Sequence, residues 1–67
     1  MLNVLERYNT AMRRLYEEKL TRTQVLQLQT NINKLLREAT CLSPVENTEM
    51  QIKLRKKVEQ VLLGMDN

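Results

Sequence analysis

The sequence contains no histidine and only one cysteine, Cys41, among its 67 residues. Without histidine there is no imidazole base and no conventional Ser–His or Cys–His nucleophile pair. A single cysteine cannot form a disulfide within the chain, and structural metal sites need several cysteine or histidine ligands. We therefore expect a protein that is not an enzyme and that has no catalytic residue, no metal site, no cofactor and no small-molecule substrate.

Long apolar runs are also missing from the sequence. No stretch approaches the roughly 18 apolar residues that a membrane span needs, so we expect no membrane partner. Near the N-terminus, Glu6 and Arg7 interrupt any apolar segment of the kind that a signal peptide requires. A chain without paired cysteines is typical of reducing compartments. The expected protein is soluble and intracellular, with nucleus or cytoplasm unresolved.

Glycine and proline each occur once, at Gly64 and Pro44. Ser43, Pro44 and Glu46 together form a helix-start signal, because serine caps, proline suits the first helical position and glutamate completes a capping box. Gly64 is a typical helix stop. The sequence predicts an all-α fold, an antiparallel hairpin of one long and one short helix in a single module over residues 1–67. The predicted bounds are about 2–40 for the first helix, 41–43 for the tight turn and 44–63 for the second helix.

Apolar residues recur at steps of three and four along both predicted helices, as expected of faces that pack against another helix. Because the turn is short, the second helix folds back against the nearer half of the first. Their facing apolar residues should hold the hairpin together. The predicted hairpin core comprises Val25, Leu28, Ile32, Leu35, Leu54, Val58 and Val61.

The apolar stripe of the first helix shifts between Leu15 and Val25, which are ten residues apart where an unbroken heptad pattern requires eleven. Thr21 and Gln24 match a capping box, which would start a new helix at Thr21. No glycine, proline or asparagine near Leu20 supplies turn geometry, so we favour a continuous or slightly bent helix. The alternative is a break that produces a three-helix arrangement.

The two predicted helices differ in length, at roughly 60 Å and 30 Å for 1.5 Å per residue, so the short one cannot cover the long one. The uncovered part of the long helix is apolar and holds the only aromatic residues, Tyr8 and Tyr16. Exposed apolar surface marks interaction sites, and tyrosine is enriched in binding hot spots. We therefore predict a non-catalytic assembly or scaffold subunit that forms a coiled-coil-like helical bundle with copies of itself or with helices of other subunits. The predicted intermolecular interface comprises Leu2, Leu5, Tyr8, Met12, Leu15 and Tyr16.

Basic residues support a second interpretation, a small helical nucleic-acid-binding protein. The net charge is +3, and a basic cluster on the second helix could neutralise phosphates of DNA or RNA. A basic run on an amphipathic helix is more often its solvated face, and the sequence has no Phe or Trp to stack on bases. We therefore prefer protein assembly. The candidate basic patch comprises Lys53, Arg55, Lys56 and Lys57.

Overall fold

The computed structural model describes residues 3–65. Over that range the chain forms three α-helices: α1 is Val4–Glu17, α2 is Arg22–Glu38 and α3 is Pro44–Met65. All three pairs of helices are in contact. The residues that line the grooves between them indicate an up-down-up arrangement, with α1 and α3 parallel and α2 antiparallel to both. The longest dimension of this part of the chain is 38 Å, which is too short for a helix of roughly 60 Å. The prediction of an all-α fold is confirmed, but the observed architecture is not a hairpin of one long and one short helix.

The predicted continuous helix over about 2–40 is wrong, because the chain breaks between Glu17 and Arg22. At the break Thr21 and Gln24 form a capping box. The Thr21 hydroxyl accepts a hydrogen bond from the Gln24 backbone N–H at 3.1 Å, and the Thr21 backbone N–H donates to Gln24 Oε1 at 2.9 Å. These two bonds satisfy backbone donors that would otherwise be unpaired at the start of α2.

The break needs no glycine because its backbone is extended. Glu18, which follows α1, has φ −101° and ψ 148°, and Thr21, which precedes α2, has φ −72° and ψ 161°. Such angles are open to any residue. Within residues 3–65 no residue has a positive φ. The absence of glycine and asparagine near Leu20 was therefore a poor reason to predict a continuous helix.

Helix α3 begins at Pro44, the position that the sequence predicts. The Ser43 hydroxyl accepts a hydrogen bond from the Glu46 backbone N–H at 3.1 Å, and the Ser43 backbone N–H donates to the Glu46 carboxylate at 3.4 Å. The helix continues through Gly64 to Met65, two residues beyond its predicted end. Neither α3 nor any other helix within residues 3–65 has the length and apolar content needed to cross a membrane.

The joint between α2 and α3 is held by side chains of α3. The Asn47 side-chain amide donates to the backbone carbonyl of Leu36 near the end of α2, and Gln51 donates to the Asn47 side-chain oxygen. The same carbonyl also accepts a hydrogen bond from the Ala39 backbone N–H at 3.3 Å. Asn47 therefore adds a second bond at this end of α2 and ties it to α3. Cys41 lies in the same joint and is exposed.

All three helices contribute to one hydrophobic core. Four of the predicted hairpin-core residues are buried in it, and Leu28, Leu35 and Val61 are partly buried against it. Helix α1 supplies three further buried residues, because the break lets it fold back over α2 and α3. The buried residues are Tyr8, Ala11, Leu15, Val25, Ile32, Leu36, Leu54 and Val58.

Tyr8 carries a buried hydroxyl without a partner. The side chain is only 7% exposed, and its hydroxyl makes no hydrogen bond within the described part of the chain. Burial raises the pKa of the Tyr8 phenol above its ordinary value of 10.0, and the electrostatic influence of Tyr16 adds to the increase. A buried hydroxyl without a partner destabilises a fold, typically by about 1–3 kcal/mol.

We expect Thr21→Ala to lower the free energy of unfolding by about 1 kcal/mol, because it removes the hydroxyl that caps α2. Denaturant unfolding followed by circular dichroism measures this difference. Thr23→Ala is the matched control, since Thr23 lies inside the first turn of α2 and is exposed. Equal losses in the two variants would show that the capping box does not hold the break.

We expect Tyr8→Phe to leave the free energy of unfolding at pH 7 unchanged or to raise it by about 1 kcal/mol, because the unpaired hydroxyl is lost and the ring is kept. The raised pKa means that the folded state holds the Tyr8 proton more tightly than the unfolded state. This difference contributes to the free energy of unfolding. The contribution is complete below about pH 10 and is lost as the pH rises through the folded-state pKa. Denaturant unfolding between pH 9 and 11 should therefore decline less steeply in Tyr8→Phe than in the wild type.

The control for this measurement is Tyr16→Phe, which removes a hydroxyl from an exposed ring. It should leave stability at pH 7 unchanged. A loss of more than about 1 kcal/mol in Tyr8→Phe at pH 7 would mean that the buried hydroxyl does have a hydrogen-bond partner.

Candidate functional site

A groove between α1 and α3 brings an apolar edge of one helix beside a basic edge of the other. We call it the α1–α3 groove. It has a volume of about 190 Å³. Its lining combines apolar surface, a phenol, an amide and three ammonium groups, and includes no carboxylate. The residues that line it are Met12, Tyr16, Lys53, Lys56, Lys57 and Gln60.

The apolar edge of α1 comprises Leu5, Met12 and Tyr16. Their spacing of seven and four residues places them on one side of the helix, next to the stripe that faces the core. Leu5 is 51% exposed and Tyr16 is 69% exposed, whereas Met12 is half-buried. The core therefore takes one stripe of α1 and leaves a second apolar stripe at its border, in which Met12 packs partly against the core while Leu5 and Tyr16 are uncovered.

The basic edge of α3 comprises Lys53, Lys56 and Lys57. Their spacing of three and four residues brings them to one side of α3, beside the buried Leu54 and Val58. The Lys57 ammonium lies 3.6 Å from the centre of the Tyr16 ring. This is a cation–π contact, worth about 0.5–1 kcal/mol at an exposed site, and it joins the two edges of the groove.

The residues of the predicted intermolecular interface are not in one environment. Tyr16 is exposed and Met12 is half-buried at the groove, and Leu5 is exposed on the same side of α1. Leu2 lies outside the described residues. Tyr8 and Leu15 are only 7% and 4% exposed because α2 and α3 cover them. The premise that all of these side chains lie beyond the reach of the rest of the chain was wrong for Tyr8 and Leu15, because α1 is a separate helix that folds back.

The predicted basic patch is also divided. Its three lysines line the α1–α3 groove, but Arg55 lines a different groove, between α2 and α3, together with Arg37. The helical repeat explains the separation, because two residues along a helix correspond to a rotation of roughly 200°. Arg55 therefore lies almost opposite Lys53 on α3.

Sequence reasoning also missed a third groove, between α1 and α2. It has a volume of about 250 Å³, an apolar floor that includes Leu28 and Ile32, and Arg7 and Arg14 at its rim. The signal for it was the seven-residue spacing of the two arginines, which places them on one side of α1. Arg14 already pairs with Glu18, with 3.4 Å between the guanidinium Nε and the carboxylate.

The outer face of α3 also carries apolar residues that the sequence reasoning did not single out. Val45, Ile52 and Leu63 lie on one line along the helix, at spacings of seven and eleven residues. They are exposed by 67%, 46% and 67%. Charged residues, among them Glu49 and Glu59, interrupt this line. The outer face is therefore less continuous than the apolar edge of α1.

Comparison of the chain with protein-family models, with curated proteins and with solved structures found no match in any of the three.

Proposed function

We propose that this chain is a non-catalytic protein-interaction module that docks a helix of another molecule in the α1–α3 groove. The exposed apolar edge of α1 is the observation that carries the proposal. Leu5 and Tyr16 are more than half exposed while their neighbours Val4 and Leu15 face the core. Apolar side chains that continue the surface of a core at a groove between two helices favour a further helix as the occupant.

A docked helix would complete a four-helix bundle. Two neighbouring helices present a groove between their ridges of side chains, and a third helix that lies in it contacts both. The apolar edge of α1 runs from Leu5 to Tyr16, which corresponds to roughly 16 Å or three turns of helix. This length suits a partner helix of three to four turns.

The small size of the protein supports the same function. Eight residues form the buried core of the described chain, and one core in a chain of fewer than about 70 residues rarely supplies more than 3–5 kcal/mol of stability. A bound helix that covers Leu5, Met12 and Tyr16 would enlarge that core. A partner helix that binds the folded state and not the unfolded state would then stabilise the module.

A nucleic-acid partner is the second candidate function. Three lysines and the exposed Tyr16 ring in one groove favour it, because ammonium groups neutralise phosphates and aromatic rings stack on bases. We prefer a protein partner because Leu5 and Met12 offer apolar side chains, for which a phosphate backbone has no complementary surface.

The test is a selection of helical peptides from a displayed random library against the wild-type chain, followed by calorimetric titration. We expect the selected peptides to bind Leu5→Ser/Tyr16→Ser at least about tenfold more weakly, since the variant removes the two most exposed side chains of the apolar edge of α1. Circular dichroism should show the same helix content in the variant, because both residues are exposed.

The matched control is Val45→Ser/Leu63→Ser, which removes two equally exposed apolar residues from the outer face of α3. The selected peptides should bind it as tightly as they bind the wild type. Peptides that lose affinity for this control and keep it for Leu5→Ser/Tyr16→Ser would move the interaction surface to α3 and contradict the proposal.

A further inference from the structure

We infer that the partner in the α1–α3 groove is an acidic amphipathic helix of a different protein, with an apolar seam facing α1 and carboxylates facing α3. This inference rests on the proposed function and names the chemistry of the partner. It depends on the charges of the residues that line the groove. The apolar edge of α1 favours a helical partner but does not indicate the charge of that partner.

The groove has a single sign of charge along one wall. Lys53, Lys56 and Lys57 supply three ammonium groups, and none of the residues that line the groove is acidic. A partner helix with an apolar seam alone would cover these ammonium groups without neutralising them. Buried or partly buried charges need a counter-charge, so the partner must bring one.

The other wall of the groove specifies the rest of the partner. Met12 and Tyr16 line it with apolar surface, and the exposed Leu5 continues their line along α1, so the partner needs an apolar seam on the side next to α1. Aspartate or glutamate spaced three or four residues apart on its other side would meet the three lysines, which have that same spacing on α3. The Lys57 ammonium lies over the Tyr16 ring, so one carboxylate would sit where the two walls meet.

A second copy of this chain does not fit the groove. If two copies met there face to face, six ammonium groups would lie within one contact, and each chain carries a net charge of +3. Like charges placed together across an interface oppose association. The charge of the groove therefore favours a heteromeric partner and disfavours self-assembly at this surface.

The probe for this inference is a synthetic helical peptide of 18 residues with leucine along one seam and glutamate along the adjoining edge. Two comparison peptides separate the contributions of charge and apolar contact: one has glutamine in place of every glutamate, and the other has serine in place of every leucine. Fluorescence anisotropy at low and high salt measures their binding to the full chain. We expect the glutamate–leucine peptide to bind at least tenfold more tightly than either comparison peptide, with an affinity that falls as salt rises.

Substitutions in the protein locate the binding. Lys53→Gln/Lys56→Gln/Lys57→Gln should weaken binding of the glutamate–leucine peptide by tenfold or more and reduce its dependence on salt. Lys34→Gln/Arg37→Gln/Arg55→Gln removes the same net charge away from the α1–α3 groove, since Arg37 and Arg55 line the groove between α2 and α3, and should weaken binding by less than threefold. Equal losses in the two triple variants would mean that only net charge matters, which would overturn the inference.

The remaining outcomes distinguish this inference from the proposed function. If the glutamine–leucine peptide binds as tightly as the glutamate–leucine peptide and both lose affinity for Leu5→Ser/Tyr16→Ser, the groove binds helices but the acidic partner is wrong. If neither set of groove substitutions affects any peptide, both the function and the partner are wrong.

Tighter binding of an 18-base-pair DNA duplex through the same lysines would replace the protein partner by nucleic acid. A dimer in sedimentation equilibrium that Leu5→Ser/Tyr16→Ser dissociates would replace it by a second copy.

Discussion

The rest of the fold depends on the break between α1 and α2, at which Thr21 and Gln24 form a pair of hydrogen bonds. By pairing backbone donors at the start of α2, they make a helix start favourable at a place where the flanking sequence is otherwise compatible with an uninterrupted helix. Once the chain breaks there, α1 folds back and three of its side chains enter the core. Without that return, α2 and α3 would be a bare pair of helices, and Tyr8 and Leu15 would face water.

The return of α1 also creates the surface that we assign to binding. A helix that packs against two others buries one stripe and leaves the stripes on either side at the mouths of grooves. In α1 these bordering stripes differ in character. One carries Arg7 and Arg14 toward α2, and the other carries Met12 and Tyr16 toward α3. Leu15 and Tyr16 are adjacent in sequence, yet one is part of the core and the other belongs to a groove.

The sequence was sufficient to predict the all-α class, the start of α3 at Pro44 and much of the packing between α2 and α3. These features follow from local signals, namely a capping box and apolar residues at helical spacing. The break before Arg22 also had a local signal in Thr21 and Gln24, but it was outweighed by the lack of glycine. Extended backbone at Glu18 and Thr21 made glycine unnecessary.

The environment of Tyr8 could not be predicted, because an apolar stripe has the same pattern whether its own chain or another molecule covers it. The division of the basic patch, by contrast, could have been predicted from the sequence. A repeat of 3.6 residues places Arg55 away from Lys53 and Lys57, and this alone separates it from the lysines. The α1–α3 groove itself required the structure, since nothing in the sequence indicates that Met12 and Lys53 lie in one groove.

Cys41 gives the protein a natural point of attachment. It is the only cysteine in the chain, it is exposed, and it lies in the joint before α3. Lys57 follows Pro44 by thirteen residues, so the contact between Lys57 and Tyr16 is about 20 Å along the bundle from that joint. A maleimide dye or a thiol-reactive surface would therefore modify every molecule at one known end and leave the opposite end of the α1–α3 groove open to ligands, without any engineered residue.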